Sequence, residues 1–357
     1  MQLTLPVSSL DQSISERISL IRYPMIYLMM IVHVPRIIGY DDDPNMLTFI
    51  GSFVTDGLMR LGVPVLACIS GFLVFHKTLD LNFPLLMRKR FVSLVTPLFI
   101  WNIPVVLTLY VVQSQGLIEY DFADKKTMYP FDLMIWVNGV LSVTDYPINY
   151  PMNFLRDLFV ICFFAPWMGM LIRNLPFVGL IALLAVFIPN LDGLLILNNE
   201  IIIMFYVGGM AATMNWDLKW LDRYAVPLVG LLLLICVFVV VMGADHPFWL
   251  PLLGPFIVWP ASSMFVGTPT GRWLRNHARV SIFLFMLHGL VLLTLKAAFP
   301  NLYGGEFEFY VWLTTPVLIA IASQFIYLFL DKFLPSFLIV LMGGRKPTAP
   351  KITHAGA

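Results

Sequence analysis

The chain has 357 residues; 59% are hydrophobic, only 12% are charged, and the formal net charge is +1. Soluble domains carry about 25% charged residues, so a soluble globular protein is excluded. So is a nucleic-acid binder, because no basic domain stands outside the apolar runs. Those runs are continuous and approach the length a spanning helix needs, unlike the short alternating strands of a β-barrel. The chain reads as all-α, a polytopic membrane helical bundle.

Residues 1–17 are polar and read as a tail outside the membrane. The apolar run then begins only after Arg17, contains Arg22 and ends without a small-residue cleavage site, so it reads as a retained first helix and not a removable signal. That helix, predicted over 18–38, carries Arg22 and His33. Eleven residues at about 100° and 1.5 Å each put the two on nearly one face, roughly 16 Å apart along the axis. Ionisable residues are expensive inside a bilayer and point to function by default.

A second helix is predicted over 48–75, with Asp56 and Arg60 spaced as an i,i+4 pair, Pro64 as a kink and Ser70-Gly71 as a point of close backbone approach. A basic loop follows and ends in Arg88-Lys89-Arg90. A third helix spans 91–112. The longest connection, 113–153, holds an apolar piece over 133–143, too short to cross and suited to a re-entrant or interfacial helix. The fourth helix spans 154–173, with Arg156-Asp157 in its first turn. Further spans are predicted at 176–188, 194–214, 224–242, 248–266, 280–298 and 309–330, ten in all. The ninth contains His288, and the sixth has Glu200 near its start. Residues 332–357 read as a basic tail, disordered past Gly343.

Ten crossings put both termini on one side. That side collects fifteen of the 22 Lys and Arg residues; the other holds Arg36, Lys125, Lys126 and Lys296. The positive-inside rule then makes both termini cytoplasmic and the domain over 18–331 transmembrane. Arg22 lies near the cytoplasmic surface and His33 deeper, towards the outer leaflet. Asp56-Arg60 and Arg156-Asp157 fall in the outer half. Cys68, Cys162 and Cys236 sit in apolar runs as small core residues, and no Cys/His cluster has metal-ligand spacing, so no metal is expected.

Several stretches, in order, resemble the membrane-bound acyltransferase-3 family. They are Arg22-x10-His33, GLMRLGVPVLACISGFLVF from Gly57, MRKRFVSLVTP from Met87, NFLRDLFVICFFAP from Asn153 and RVSIFLFMLHGLV from Arg279. The basic loop departs from the family's arginine-x-x-arginine pattern, which leaves open which residue there binds donor. The resemblance implies an O-acyltransferase of the bacterial inner membrane that moves an acyl group from acyl-CoA, a co-substrate and not a bound cofactor, to a sugar hydroxyl. The acceptor would be an exopolysaccharide or a lipid-linked oligosaccharide precursor. Within the family the chain resembles the succinyltransferases of exopolysaccharide (succinoglycan) synthesis, so succinyl-CoA or acetyl-CoA is the expected donor.

Roles follow. His33 is the expected base for the hydroxyl proton. Arg22, Arg88, Lys89 and Arg90 supply cations for a phosphorylated donor. Arg156, with Asp157, is assigned to the acyl or sugar site, where its fork would hold a succinyl carboxylate; Asp56, Arg60 and His288 are further candidates for the acceptor side. Plain structural accounts compete with each. Arg22 could snorkel to headgroups, His33 and His288 could bridge helices, Asp56-Arg60 could be a structural pair, and Arg88-Lys89-Arg90 could be a topology signal. Two other classes of function stand beside the enzyme. A flippase or secondary transporter, with Arg22, His33, Asp56, Arg60 and Glu200 lining its path, would predict inverted repeats and paired broken helices, and neither is found in the sequence. A non-catalytic subunit of a synthesis complex is the other.

Overall fold

The computed structural model describes residues 10–34, 39, 41–117, 127–243, 247–299 and 308–345. Among them every regular element is helical and no strand occurs. Helix α1 (Gln12–Val32) begins six residues before Ile18, because the Asp11 carboxylate caps it, accepting from the Ser13 N–H at 2.9 Å. The expected tail therefore holds the first turns of the helix, and Arg17 is buried.

Helix α2 (Met46–Ser52) runs into a wide π-type turn (Phe53–Gly57) and a tight 3-10 turn (Leu58–Leu61) before α3 (Gly62–His76). The expected span 48–75 is thus one rod with a rewound centre, at Asp56 and Arg60. Pro64 does not kink it. It sits in the first turn of α3, where a missing N–H is tolerated. The basic residues 88–90 are not in a loop either. They form the last turn of α4 (Phe83–Arg90), which continues through a second π-type turn into α5 (Thr96–Ser114).

The short piece is helix α6 (Leu133–Leu141), capped by Asp132 and closed by Ser142 in the left-handed region (φ 58°). It packs on α5 through a small cluster containing Val106, Leu109 and Met128. Then follow α7 (Asn153–Asn174), α8 (Pro176–Phe187), α9 (Asn199–Thr213), α10 (Ala225–Val241) and α11 (Trp249–Ser263). Helix α12 (Pro269–Ala298) absorbs the expected basic loop, since Thr268 caps it eleven residues early. Helices α13 (Glu308–Phe333) and α14 (Pro335–Leu341) complete the chain, so part of the expected C-terminal tail is folded.

Six helical stretches are long and apolar enough to cross a bilayer: Met46–His76, Phe83–Ser114, Tyr150–Asn174, Asp222–Val241, Pro269–Lys296 and Glu308–Phe333. The other four expected spans coincide with α1, α8, α9 and α11, which are shorter or less apolar. The protein is a multi-pass membrane protein. Its tightest joint is α3 against α9. A Cβ on Gly71 would run into the Phe205 carbonyl, and one on Gly208 into the Cys68 carbonyl. The two backbones touch because both positions lack side chains.

At one end of the bundle Arg17 donates to both Asp222 carboxylate oxygens (2.8 and 3.0 Å), to Ser262 and to the Trp259 carbonyl. It thereby ties α1 to α11 and the turn before α10. Asp80, with a fully buried side chain, pairs with Arg173 at 2.6 Å.

Replacing Gly208 by leucine is predicted to separate α3 from α9 and destabilise the fold by more than about 4 kcal/mol, the range reserved for severe core disruption. Gly230→Leu, where a Cβ would meet nothing within 4 Å, should be tolerated. Monodispersity and thermal unfolding in detergent measure both.

Candidate active site

Helix α1 ends at Val32, and His33 closes it with its backbone N–H on the Met30 carbonyl at 3.1 Å. The imidazole therefore stands at a helix terminus and not in a helix interior. It opens on a cavity of about 390 Å³. Arg60 reaches the same cavity from the 3-10 turn before α3. Tyr150 and Asn153 come from the start of α7, and Asn198, Asn199 and Glu200 from the start of α9. Phe248 and Phe187 add apolar surface. Arg60 lies 3.9 Å from Asp56 and also feels the charge of Glu200. The rewound turn is what aims it inward, and π-type turns recur at functional sites.

Two rings flank His33. Tyr150 meets it edge-on with centroids 5.3 Å apart, and His288 lies nearly parallel at 5.6 Å. His288 is wholly buried and does not line the cavity. Its Nδ1 sits 3.1 Å from the Leu284 carbonyl, while Nε2 has no hydrogen-bond partner. If Nδ1 donates to that carbonyl, Nε2 carries the lone pair. Behind Tyr150, Asn102 is fully buried and accepts from the Asn149 N–H at 2.9 Å. The Asn149 side chain donates to the Met286 carbonyl at 2.9 Å. This chain of contacts fixes the Tyr150 turn against the part of α12 that carries His288.

Arg156 and Asp157 are close to the cavity but do not line it. Arg156 donates to the carbonyls of Ser142, Val143, Leu194 and Leu195 and to Asp157 at 2.9 Å. All five guanidinium N–H groups are engaged, so no fork is left for a substrate carboxylate. Asp157 in turn accepts from the N–H groups of Leu197 and Asn198 at 3.2 and 3.0 Å. The pair is a bracket that pins two loops to α7 and so holds the wall bearing Asn198, Asn199 and Glu200. Asp56 also stays outside the lining.

The basic residues lie elsewhere. Arg22 is exposed on α1, Arg88 and Lys89 are exposed, and Arg90 is half-buried at the end of α4. None lines the cavity. The structure thus gathers His33, Arg60 and, behind them, His288, and separates them from the cationic end. Sequence reasoning gave no catalytic-site role to Glu200, Tyr150, Asn198 or Asn199. The run Asn198-Asn199-Glu200 opening an apolar helix was the available signal, since a carboxylate there is both favoured by the helix N-terminus and costly in the membrane. Among the described residues, no three His, Cys, Asp or Glu side chains gather to hold a metal ion.

A family model described as the acyltransferase domain matches residues 16–330. The succinoglycan biosynthesis protein ExoH of Rhizobium meliloti (strain 1021) is 29% identical to the chain, with 94% of each covered. No solved structure matches.

Arg156→Ala is predicted to leave Asp157 buried and unpaired, a loss of about 3–5 kcal/mol. Thermal unfolding should register it. The choice of acyl group by the remaining folded enzyme should not change, because the guanidinium does not line the cavity.

Proposed function

The chain belongs to the acyltransferase-domain family and is an acyltransferase, and from that premise we propose that it transfers a succinyl or acetyl group from acyl-CoA to a sugar hydroxyl of an exopolysaccharide or its lipid-linked precursor. The observation that carries this reading is the position of His33. It stands at the end of the helix that bears Arg22, on the lip of a polar cavity. The relative's part in succinoglycan biosynthesis supports a polysaccharide acceptor. So does the cavity wall, where asparagine amides and Glu200 can pair with hydroxyls and Tyr150 and Phe248 offer aromatic faces.

In the proposed reaction His33 takes the proton of the acceptor hydroxyl as its oxygen attacks the thioester carbonyl carbon. The carbon–sulfur bond then breaks, and the departing thiolate receives the proton from His33. Arg60 is placed to balance negative charge developing in the cavity. His288 and Tyr150 hold the imidazole between them.

The proposed setting is the bacterial inner membrane, crossed ten times, with both termini cytoplasmic. Four ion pairs between distant segments support this count, because each joins segments that ten crossings leave on one face. Arg17–Asp222, Lys219–Asp11, Arg275–Glu16 and Arg173–Asp80 belong to the face of the termini. At the opposite face Asp41 approaches Gly243 and Arg156 holds the loops near 142 and 194. Acyl-CoA would then arrive at Arg22 and the Arg88-Lys89-Arg90 turn, and the acceptor at the His33 cavity.

His33→Ala is expected to abolish acylation, a loss of at least about 10²-fold, while polymer yield stays normal. Mass spectrometry of the polysaccharide from cells carrying the variant measures it; unaltered acylation would refute the reading. Glu200→Gln is expected to raise the acceptor KM and leave the donor KM unchanged in steady-state assays, as befits a cavity-wall residue remote from the cationic end.

A further inference from the structure

After α14 the chain makes a turn through Gly343 and Gly344, both left-handed, with φ of 65° and 77°. The turn is pressed against the π-type turn that follows α4. A Cβ on Gly343 would lie 2.7 Å from Pro97 Cγ and 2.8 Å from the Val92 carbonyl, and one on Gly344 3.1 Å from Val92 Cγ1. Trp101 Nε1 donates to the Leu341 carbonyl at 3.0 Å and anchors the end of α14 to α5. Only glycine fits both the backbone and the space. The next residue is Arg345, delivered beside Val92, two positions past Arg90.

Arg345 is half-buried and donates one N–H to the Met342 carbonyl at 2.9 Å. Its neighbours are cations. Burial first, and then the charges of Arg90 and Arg22, push its pKa down to about 10. It remains protonated at neutral pH. Arg90 Nε is buried with no hydrogen-bond partner. Among the described residues, none of Arg22, Arg90 and Arg345 has an acidic partner, although the same end of the bundle pairs Arg17, Arg173, Lys219 and Arg275 with carboxylates. Three guanidinium groups from α1, α4 and the C-terminal turn thus repel one another where their neighbours are neutralised. A multiply charged phosphate ester satisfies them, since guanidinium forks match phosphate oxygens.

We infer that Arg345 completes, with Arg22 and Arg90, a phosphate-binding site that takes the phosphate groups of the acyl donor. This rests on the acyl-CoA reading above. A phospholipid headgroup offers the same chemistry, and the test separates the two sources.

Full-length wild type, Arg345→Ala and Arg345→Lys are placed in phosphatidylcholine nanodiscs and titrated with CoA and with pantetheine, which lacks the phosphates. Wild type is expected to bind CoA, Arg345→Ala about tenfold more weakly, as for the loss of one charge-assisted contact, and Arg345→Lys in between. Pantetheine should not distinguish the three. Thermal unfolding identifies any variant that has simply lost its fold, and Arg345→Lys then decides alone. Equal CoA affinity in wild type and the variants overturns the inference while leaving the donor reading intact. If wild type does not bind CoA, the donor reading falls, and the site is judged by phosphatidylglycerol nanodiscs. Stabilisation of wild type but not of Arg345→Ala there assigns the site to a lipid headgroup, and no difference overturns it.

Discussion

Inside an apolar bundle a polar group must find its partner in the protein. That single requirement sorts the charged residues here into two kinds. Arg156 shows the first. Its five donors meet four carbonyls and a carboxylate, and the carboxylate meets two backbone N–H groups. Nothing is left over, and the group serves as masonry. His33, Arg60 and Glu200 show the second, because they face a cavity. A buried polar network satisfied throughout rigidifies its surroundings, while polar groups turned towards a cavity are open to a further contact.

The two ends of α1 take opposite sides of this division. Arg17, at the start, is clamped by Asp222 and shielded by the Trp259 ring at 4.4 Å. His33, at the finish, stands free of the helix and open to the cavity. Arg22 lies between, one and a half turns past Arg17, and makes no ion pair among the described residues. The clamp fixes the helix so that the distance between Arg22 and His33 becomes a property of the fold.

What could be seen in the sequence was mostly local. The helical periodicity put Arg22 and His33 on one face, and the glycine at 71 announced a close helix contact. The long apolar runs gave the bundle. Contacts between distant segments were invisible. Nothing in the neighbourhood of Arg156 reveals that carbonyls at 142, 143, 194 and 195 converge on it, so an arginine beside an irregular loop looked like a ligand group. Helix starts were missed where one side chain decides them, as Asp11 and Thr268 do. The rewound turn at Asp56 and Arg60 left no mark in the pattern of apolar residues, because a π-type turn shifts the register without changing the composition.

The backbone contact between α3 and α9 has a consequence for the shape of the cavity. Arg60 leads into α3 and Glu200 opens α9, so the cation and the carboxylate that line the cavity are mounted on the two helices whose backbones are in contact. They act as the jaws of a fixed gauge. Under the proposed function a hydroxylated ring would be selected by whether it fits the set gap, by size and shape, where a hinged site would discriminate by closing.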